Sequence, residues 1–500
     1  MLSERRLFPL LVVLFCLLSV APIWVGHYLP MTDLPQHVAQ LSIWQRWDDP
    51  SFGYQEIYRS NPLLAHRLVA TVVLGLAHLL PLMVAVKVLV SVAVLGLPLV
   101  CLLWLRELDG DPWWVFSVFP AAYGFSFYLG FLHFVVGIPV ALLVLLAAYR
   151  FSQRPSLRLG LALVAGLYGL FFSHVILLGL TGLVAGGMML VGTHNRRARW
   201  AGLACLASVL PLIVTWLVLT RFGEQSSTPV ETIWDFSLER LLVSPRFVVG
   251  EFEGMGHWWV GLVLMACPWL AGGRPSRRPE RWLLFSVAAG LFALAPSTFM
   301  GTGFLYHRFA VFFVPGLLLA FERGERASAL RRGAVPTVAA LSLLALTPRF
   351  MSFNEEAKDF DQVLAAMEPQ RKVLSLVYDS SSESFSSLPF LHFGAWYQVE
   401  KGGVVDFSFA EFFANPFRYR PEHDPPLPES FEWAPIQFDW HRHGGDRYDY
   451  YLMRIDPARP PPSPFRGATD RIEPLASAGR WLLFERTDSV LEREGEEKGP

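Results

Sequence analysis

Long apolar runs punctuated by clusters of arginine fill the chain from its start to Pro348, and they leave few folds open. A helix needs about 20 apolar residues to span a bilayer, somewhat fewer where the bilayer thins, and basic residues collect at its cytoplasmic end. Eleven runs meet that description: 7–25, 84–105, 112–127, 134–149, 159–172, 175–192, 200–220, 258–271, 282–296, 310–321 and 335–347. A further apolar stretch begins at Asn61-Pro62-Leu63 and ends at Leu80. Counted as a span, it would put Arg150, Arg154 and Arg158 outside and invert every later loop. It therefore reads as a segment lying at, or re-entering, the outer interface. The inner loops then hold Arg150/Arg154/Arg158, Arg196/Arg197/Arg199, Arg274/Arg277/Arg278/Arg281 and Arg323/Arg326/Arg331/Arg332. The outer turns at 125–133 and 172–174 contain no lysine or arginine. This asymmetry predicts an α-helical polytopic membrane protein of about eleven transmembrane helices, with its N-terminus in the cytoplasm.

Composition closes off other classes. A chain that is 53% hydrophobic and only 17% charged is no ordinary soluble globule, and a net charge of −1 offers no footprint for nucleic acid. All four cysteines (Cys16, Cys101, Cys205, Cys267) lie inside apolar runs, so neither a disulfide framework nor a structural zinc site is expected. The first run follows Arg5 and Arg6 but lacks an A-x-A cleavage site and is long for a secretory signal, so it reads as a retained helix. An odd number of spans puts everything after Pro348 outside the cytoplasm, in the periplasm if the cell is Gram-negative. The predicted layout is a transmembrane domain over 1–348 with its first outer loop at 26–83, a small extracytoplasmic α/β domain over 349–490, and a disordered acidic tail over 491–500. Within the tail domain a helix is predicted at 355–367 and strands at 372–378, 393–399, 448–455 and 480–485, with Pro-rich loops at 421–428 and 460–464.

The ionisable residues at the outer helix ends form the candidate site. Pro30-Met31-Thr32-Asp33-Leu34-Pro35-Gln36-His37 puts a carboxylate and an imidazole four positions apart just after the first run. With residues 34–47 helical and Pro35 in the first turn, Asp33 is placed to cap the helix and His37 lies one turn on, so both can face one cleft. His133 opens the fourth span, His174 separates the fifth and sixth, and His307 and Arg308 open the tenth. His66 and Arg67 belong to the interfacial stretch. An isolated histidine at a helix end is usually a hydrogen-bonded structural group. A set of them gathered on one side with Asp33 points instead to a polar cavity. Arg308 cannot lose its charge, and its planar fork suits a phosphate at headgroup depth, although a simple headgroup anchor is the other reading. Arg221, Arg240 and Arg246 fall in a long outer loop, 221–256, that could cover such a site. The histidines and Asp33 permit a divalent metal without requiring one, since no two of them share an H-x-x-x-H spacing.

With these residues in place the layout resembles the polytopic glycosyltransferases of the GT-C superfamily, which use polyprenyl-phosphate-linked sugars. The likeness rests on Asp33-x-Pro35-x-His37 early in a large first outer loop, the Pro62-Leu63 start of the interfacial segment, and Arg308 at a late outer helix mouth. About eleven spans and an outside C-terminal domain complete it. It covers residues 5–350. The resemblance implies a polyprenyl-phosphate sugar donor and an extracytoplasmic lipid, glycan or protein acceptor. It also implies that Asp33 acts as general base toward the acceptor hydroxyl, with Arg308 and His307 stabilising charge on the departing phosphate. One feature departs from the pattern: many members carry a second acidic residue in the outer turn between the third and fourth spans. Residues 124–133 have none, only His133. That puts a metal-assisted mechanism in doubt and leaves a non-catalytic relative open.

Two readings from other classes compete. A transporter or flippase for a lipid-linked saccharide would need broken helices and paired charges at mid-membrane, whereas the runs here carry few central charges. A non-catalytic assembly protein would use its outer domain to hold a partner. There Trp396, Trp433 and Trp440 could stack on carbohydrate or simply fill a core.

Overall fold

A computed structural model of the chain describes residues 4–61, 67–193, 195–222, 232–251, 254–299, 302–324, 329–412, 415–428 and 430–487. Pro62-Leu63, His66, Arg326 and the acidic tail 491–500 lie outside the described residues. The chain divides into two compact units, Met1–Val25 with Leu63–Pro348, and Gly26–Pro62 with Arg349–Pro500. Residues 26–62, read from the sequence as part of the membrane domain's first outer loop, thus belong to the second unit.

Among the described residues six helices are long and apolar enough to cross a membrane: Arg6–Trp24, Leu82–Glu107, Leu132–Gln153, Val175–Gly192, Arg196–Leu219 and Gly333–Ala365. Five shorter apolar helices accompany them, at Arg67–Ala77, Leu157–Ser173, Met255–Met265, Leu283–Leu294 and Tyr306–Ala320. The eleven-residue Arg67–Ala77 helix is about 16 Å long, too short for a full span. Leu132–Gln153 is the hub, packing on Leu82–Glu107, Leu157–Ser173 and Val175–Gly192. A Cβ on Gly137 would sit 2.5 Å from Leu177 Cδ1 and 2.8 Å from Ser173 Oγ, so a larger residue there would have to displace both side chains.

Two of the expected spans take other forms. Run 112–127 is no single helix. It breaks into a 3₁₀ turn at Pro112–Ser117 and short helices at Val118–Ala121 and Phe125–Tyr128, all well buried. Pro120 and Gly124 interrupt it, and a Cβ on Gly124 would meet the Val248 carbonyl at 2.7 Å, so the break seats one backbone against another. Runs 335–347 and 355–367, expected as a span and a separate helix, are one helix, Ala329–Ala365, with Pro336 and Pro348 inside it.

In the second unit a five-stranded mixed sheet runs in the order Val404–Val405, Lys372–Val377, Tyr450–Arg454, Trp481–Arg486, Ile472–Ala478. The first two pairings are parallel and the last two antiparallel. Residues 393–399, expected as a strand, instead lead into a helix, Ala395–Lys401. Every side chain from Leu391 to Val399 is buried, so the alternation a half-exposed strand would show is missing. Trp396 and Trp440 fill the core, while Trp433 is 47% exposed.

Residues 26–61 are hydrogen-bonded into this unit along their length. Asn354 pairs with the Tyr28 backbone through both amide atoms, accepting from N at 2.9 Å and donating to O at 3.0 Å. Tyr28 donates to Asp361 at 2.6 Å. The Arg46 guanidinium donates to the carbonyls of Gln398 and Val399, at the end of the Ala395–Lys401 helix. Tyr58–Ser60 pairs antiparallel with Phe417–Tyr419.

At the sheet edge Asp406 is fully buried; its Oδ1 accepts from the Ser375 amide at 2.7 Å, while Oδ2 has no partner among the described residues. Burial raises its carboxyl from 3.8 to about 7, against the backbone hydrogen bonds that lower it. Between those values the folded chain holds a proton that the unfolded chain releases, so this group makes stability fall as pH rises from about 4 to about 7 and then level off. Asp406→Asn keeps the Ser375 acceptor and removes the titration. The melting-temperature gain of the variant over wild type is expected to grow from pH 4.5 to pH 8, corresponding to roughly 4 kcal/mol at most. A gain that stays flat across that window would show that Asp406 ionises without penalty.

Candidate functional site

Asp33 immediately precedes the Leu34–Gln45 helix, which Pro35 helps to start. The expected cap is absent. Asp33 has φ −88° and ψ −8° and makes no side-chain hydrogen bond to the helix amides. Its Oδ1 lies instead 3.3 Å from Nε2 of His392, whose side chain is 4% exposed against 18% for Asp33. The backbone reason is local: an N-cap oxygen reaches the next amides from extended φ/ψ, and the helical ψ of Asp33 turns the carboxylate away from them.

His392 is held by rings. It stacks on Phe407 (5.2 Å between centroids, 16° between planes) and meets Phe409 edge-on at 5.7 Å. His37, one turn into the helix, meets the same Phe409 at 5.3 Å and 80°. The Gln36 side chain fixes this loop by donating to the Phe407 carbonyl at 3.0 Å and accepting from the Phe409 amide at 3.1 Å. Gln40 repeats the contact one turn on, accepting from the Phe417 amide at 3.1 Å. The spacing of Gln36, His37 and Gln40 therefore gives this helix a polar side that organises residues 407–417. Glu432 lies nearby, and burial raises its carboxyl above the ordinary range.

In the first unit Phe134 links the other predicted residues. Its ring meets His174 edge-on at 5.1 Å and lies 5.9 Å from the guanidinium carbon of Arg308, which sits 3.4 Å from the Phe131 centroid. Arg308 also donates to the Gly303 carbonyl at 3.2 Å. Next to Phe134, the His133 carbonyl accepts from Ser173 at 3.4 Å. His174 caps the Val175–Gly192 helix, its Nδ1 accepting from the Ile176 amide at 3.3 Å. His307 is sandwiched between Tyr306 (3.8 Å, 22°) and Phe125 (4.8 Å, 19°), with Phe247 edge-on. Phe125 meets Phe131 edge-on at 6.5 Å, so His174, His307 and Arg308 share one aromatic cluster, with the His133 backbone at its margin, and Asp33 and His37 sit in the other unit beside His392 and Phe409.

Two residues outside the predicted set matter here. His392 has no motif around it, and its partner lies 359 positions earlier, so nothing local announces it. Arg240 does more than line an outer loop. It donates to the carbonyls of Phe292, Ala293 and Ala295 at the end of the Leu283–Leu294 helix, pairs with Asp235 at 2.5 Å, and lies 3.7 Å from the Tyr306 ring. Through Tyr306 it supports the His307–Arg308 step. Among the described residues no three His, Cys, Asp or Glu side chains group closely enough to hold a metal ion.

This architecture, apolar helices with a carboxylate just past the first one and a second unit built on a mixed sheet, is the GT-C fold. Two solved structures share it. The arabinofuranosyltransferase AftD from Mycobacteria superposes with a TM-score of 0.52 and 15% identity, over 97% of this chain and 40% of that one. ArnT from Cupriavidus metallidurans, bound to undecaprenyl phosphate, gives a TM-score of 0.52 at 13% identity, over 96% of this chain and 98% of that one. The chain thus spans well under two thirds of AftD's length. No family model and no curated protein matches the sequence. At such identities the likeness is one of fold.

Arg240→Met would leave three helix-end carbonyls and Asp235 without their donor. Leaving buried carbonyls without a donor costs about 1–3 kcal/mol, and Asp235, with its side chain 49% exposed, adds little, so a drop of several degrees in melting temperature is expected, with Arg240→Lys in between. An unchanged transition in Arg240→Met would show that the cap adds nothing.

Proposed function

We propose that this protein is a membrane glycosyltransferase that moves a sugar from a polyprenyl-phosphate donor to a lipid, glycan or protein acceptor outside the cytoplasm. One observation carries the reading: Asp33 sits at the mouth of a helix, partly exposed, with its carboxylate not engaged in capping. A carboxylate in that state can accept a proton. The GT-C fold, and a polyprenyl phosphate bound to one protein that shares it, support the donor class. The arginine clusters support a plasma (inner) membrane location with the C-terminal unit outside.

In the proposed reaction the acceptor oxygen attacks the anomeric carbon of the donor, and the bond from that carbon to the phosphate oxygen breaks. Its electron pair leaves on the phosphate, and the acceptor proton passes to the Asp33 carboxylate. Phosphate is already a good leaving group, so one base suffices where a glycosidase needs an acid and a base. Arg308, fixed by the Phe131 ring and the Gly303 carbonyl, is the cation assigned to the phosphate. His37 is assigned to the acceptor side beside Asp33. His133, His174 and His307 are assigned to binding the donor, with His174 and His307 also held by their cap and stacking contacts.

Asp33→Asn preserves size and hydrogen bonding but cannot take the proton. Sugar transfer in proteoliposomes of the full chain is expected to fall by about 100-fold or more, with membrane insertion and melting temperature unchanged. Transfer within a few-fold of wild type would remove Asp33 from the chemistry.

A further inference from the structure

We infer that His392 is a positioning residue for Asp33, a clamped imidazole whose Nε2 lies against the carboxylate and keeps it in line with the acceptor hydroxyl; the inference rests on the reading of Asp33 as the base. Three features converge on it. Nε2 of His392 faces Oδ1 of Asp33 at 3.3 Å. The imidazole is buried at 6% exposure and clamped flat on Phe407, with Phe409 at its edge, so its direction is set by packing and not by the carboxylate. Nδ1 is buried with no hydrogen-bond partner among the described residues. A hydrogen on Nδ1 would be an orphaned buried donor, which favours the hydrogen on Nε2, the nitrogen beside Asp33.

That arrangement has a chemical consequence. An Asp at a helix mouth has two rotatable bonds, and a misplacement of about 1 Å can cost a catalytic group about 100-fold in rate. A clamped ring nitrogen 3.3 Å from one oxygen restrains the rotation and leaves the second oxygen for the acceptor hydroxyl. The imidazole does not itself accept the proton, because Nδ1 has no partner to pass it on to. Gln36 in turn secures the clamp by bracketing Ser408, donating to the Phe407 carbonyl on one side and accepting from the Phe409 amide on the other. The Ser408 hydroxyl tightens the same turn, accepting from the Ala410 amide at 3.2 Å.

The test is one series on the full chain in proteoliposomes. The donor is undecaprenyl phosphate carrying a radiolabelled pentose or hexose that wild type turns over, with envelope lipid as acceptor. Glutamine places an amide N–H near the position of imidazole Nε2, and leucine fills the space without a donor. His392→Leu is expected to lower kcat about 30-fold or more, with KM for the donor within about twofold and an unchanged melting temperature. His392→Gln is expected to recover transfer to within about fivefold of wild type. If His392→Leu turns over like wild type while Asp33→Asn is dead, the positioning role fails and the base assignment stands. If His392→Gln is as impaired as His392→Leu, a neutral donor is not what the site needs and the inference is overturned. If Asp33→Asn itself stays active, the base assignment fails and this inference with it. Should His392→Leu not fold, Phe407→Leu, which removes the clamping ring and leaves the pair intact, takes its place with the same expected fall in kcat; wild-type kcat there would overturn the clamp.

Discussion

Hydrogen bonds between residues 26–61 and a stretch more than three hundred positions later decide what surrounds Asp33. Gln36 and Gln40 spend their side-chain amides on the backbone at 407, 409 and 417, and Asn354 does the same for Tyr28. Backbone groups buried in that stretch need partners, and the first loop supplies them. The consequence is local and chemical. Phe407 and Phe409 are set against the Leu34–Gln45 helix, His392 is set against Phe407, and the Asp33 carboxylate meets His392 and not its own helix.

A second constraint recurs at helix ends. The last carbonyls of a helix have no partner within it, and in an apolar setting each one left alone is costly. Among the described residues arginine answers this repeatedly: Arg46 on Gln398 and Val399, Arg199 on Thr193, Arg240 on Phe292, Ala293 and Ala295, and Arg281 on Leu319 and Phe321. Guanidinium groups suit the task because several donors lie in one plane and the charge complements the helix dipole. The same residue type therefore has distinct uses in this chain. A buried arginine such as Arg240 or Arg281 is fixed by what it caps.

How much of this is legible in the amino-acid sequence follows from which signals are local. Apolar runs and arginine clusters are read within a few residues, so most helices and the GT-C fold can be recognised from the sequence. Strand-like runs at 372–378, 448–455 and 480–485 are legible as short stretches rich in apolar and aromatic residues and appear as Lys372–Val377, Tyr450–Arg454 and Trp481–Arg486. Asp33 stands out because it closely follows the first run and precedes a Pro-initiated helix. The exceptions depend on distant partners. Burial on all sides hides the helix at Ala395–Lys401, and packing against the Val248 carbonyl breaks the run at Gly124. No pattern near residue 392 reports that its ring meets a carboxylate at residue 33. The assignment of residues 26–62 to the second unit is hidden for the same reason, since it lives in hydrogen bonds between the two ends of the chain.

The central claim is that a single carboxylate, Asp33, activates the acceptor hydroxyl for one direct displacement at the anomeric carbon. The most direct measurement is the anomeric configuration of the product, determined by NMR after turnover of a polyprenyl-phosphate sugar of known anomeric form. One displacement assisted by one base inverts that centre, and inversion is the result expected. Retention would require a covalent intermediate or a different route, and would contradict the role given to Asp33.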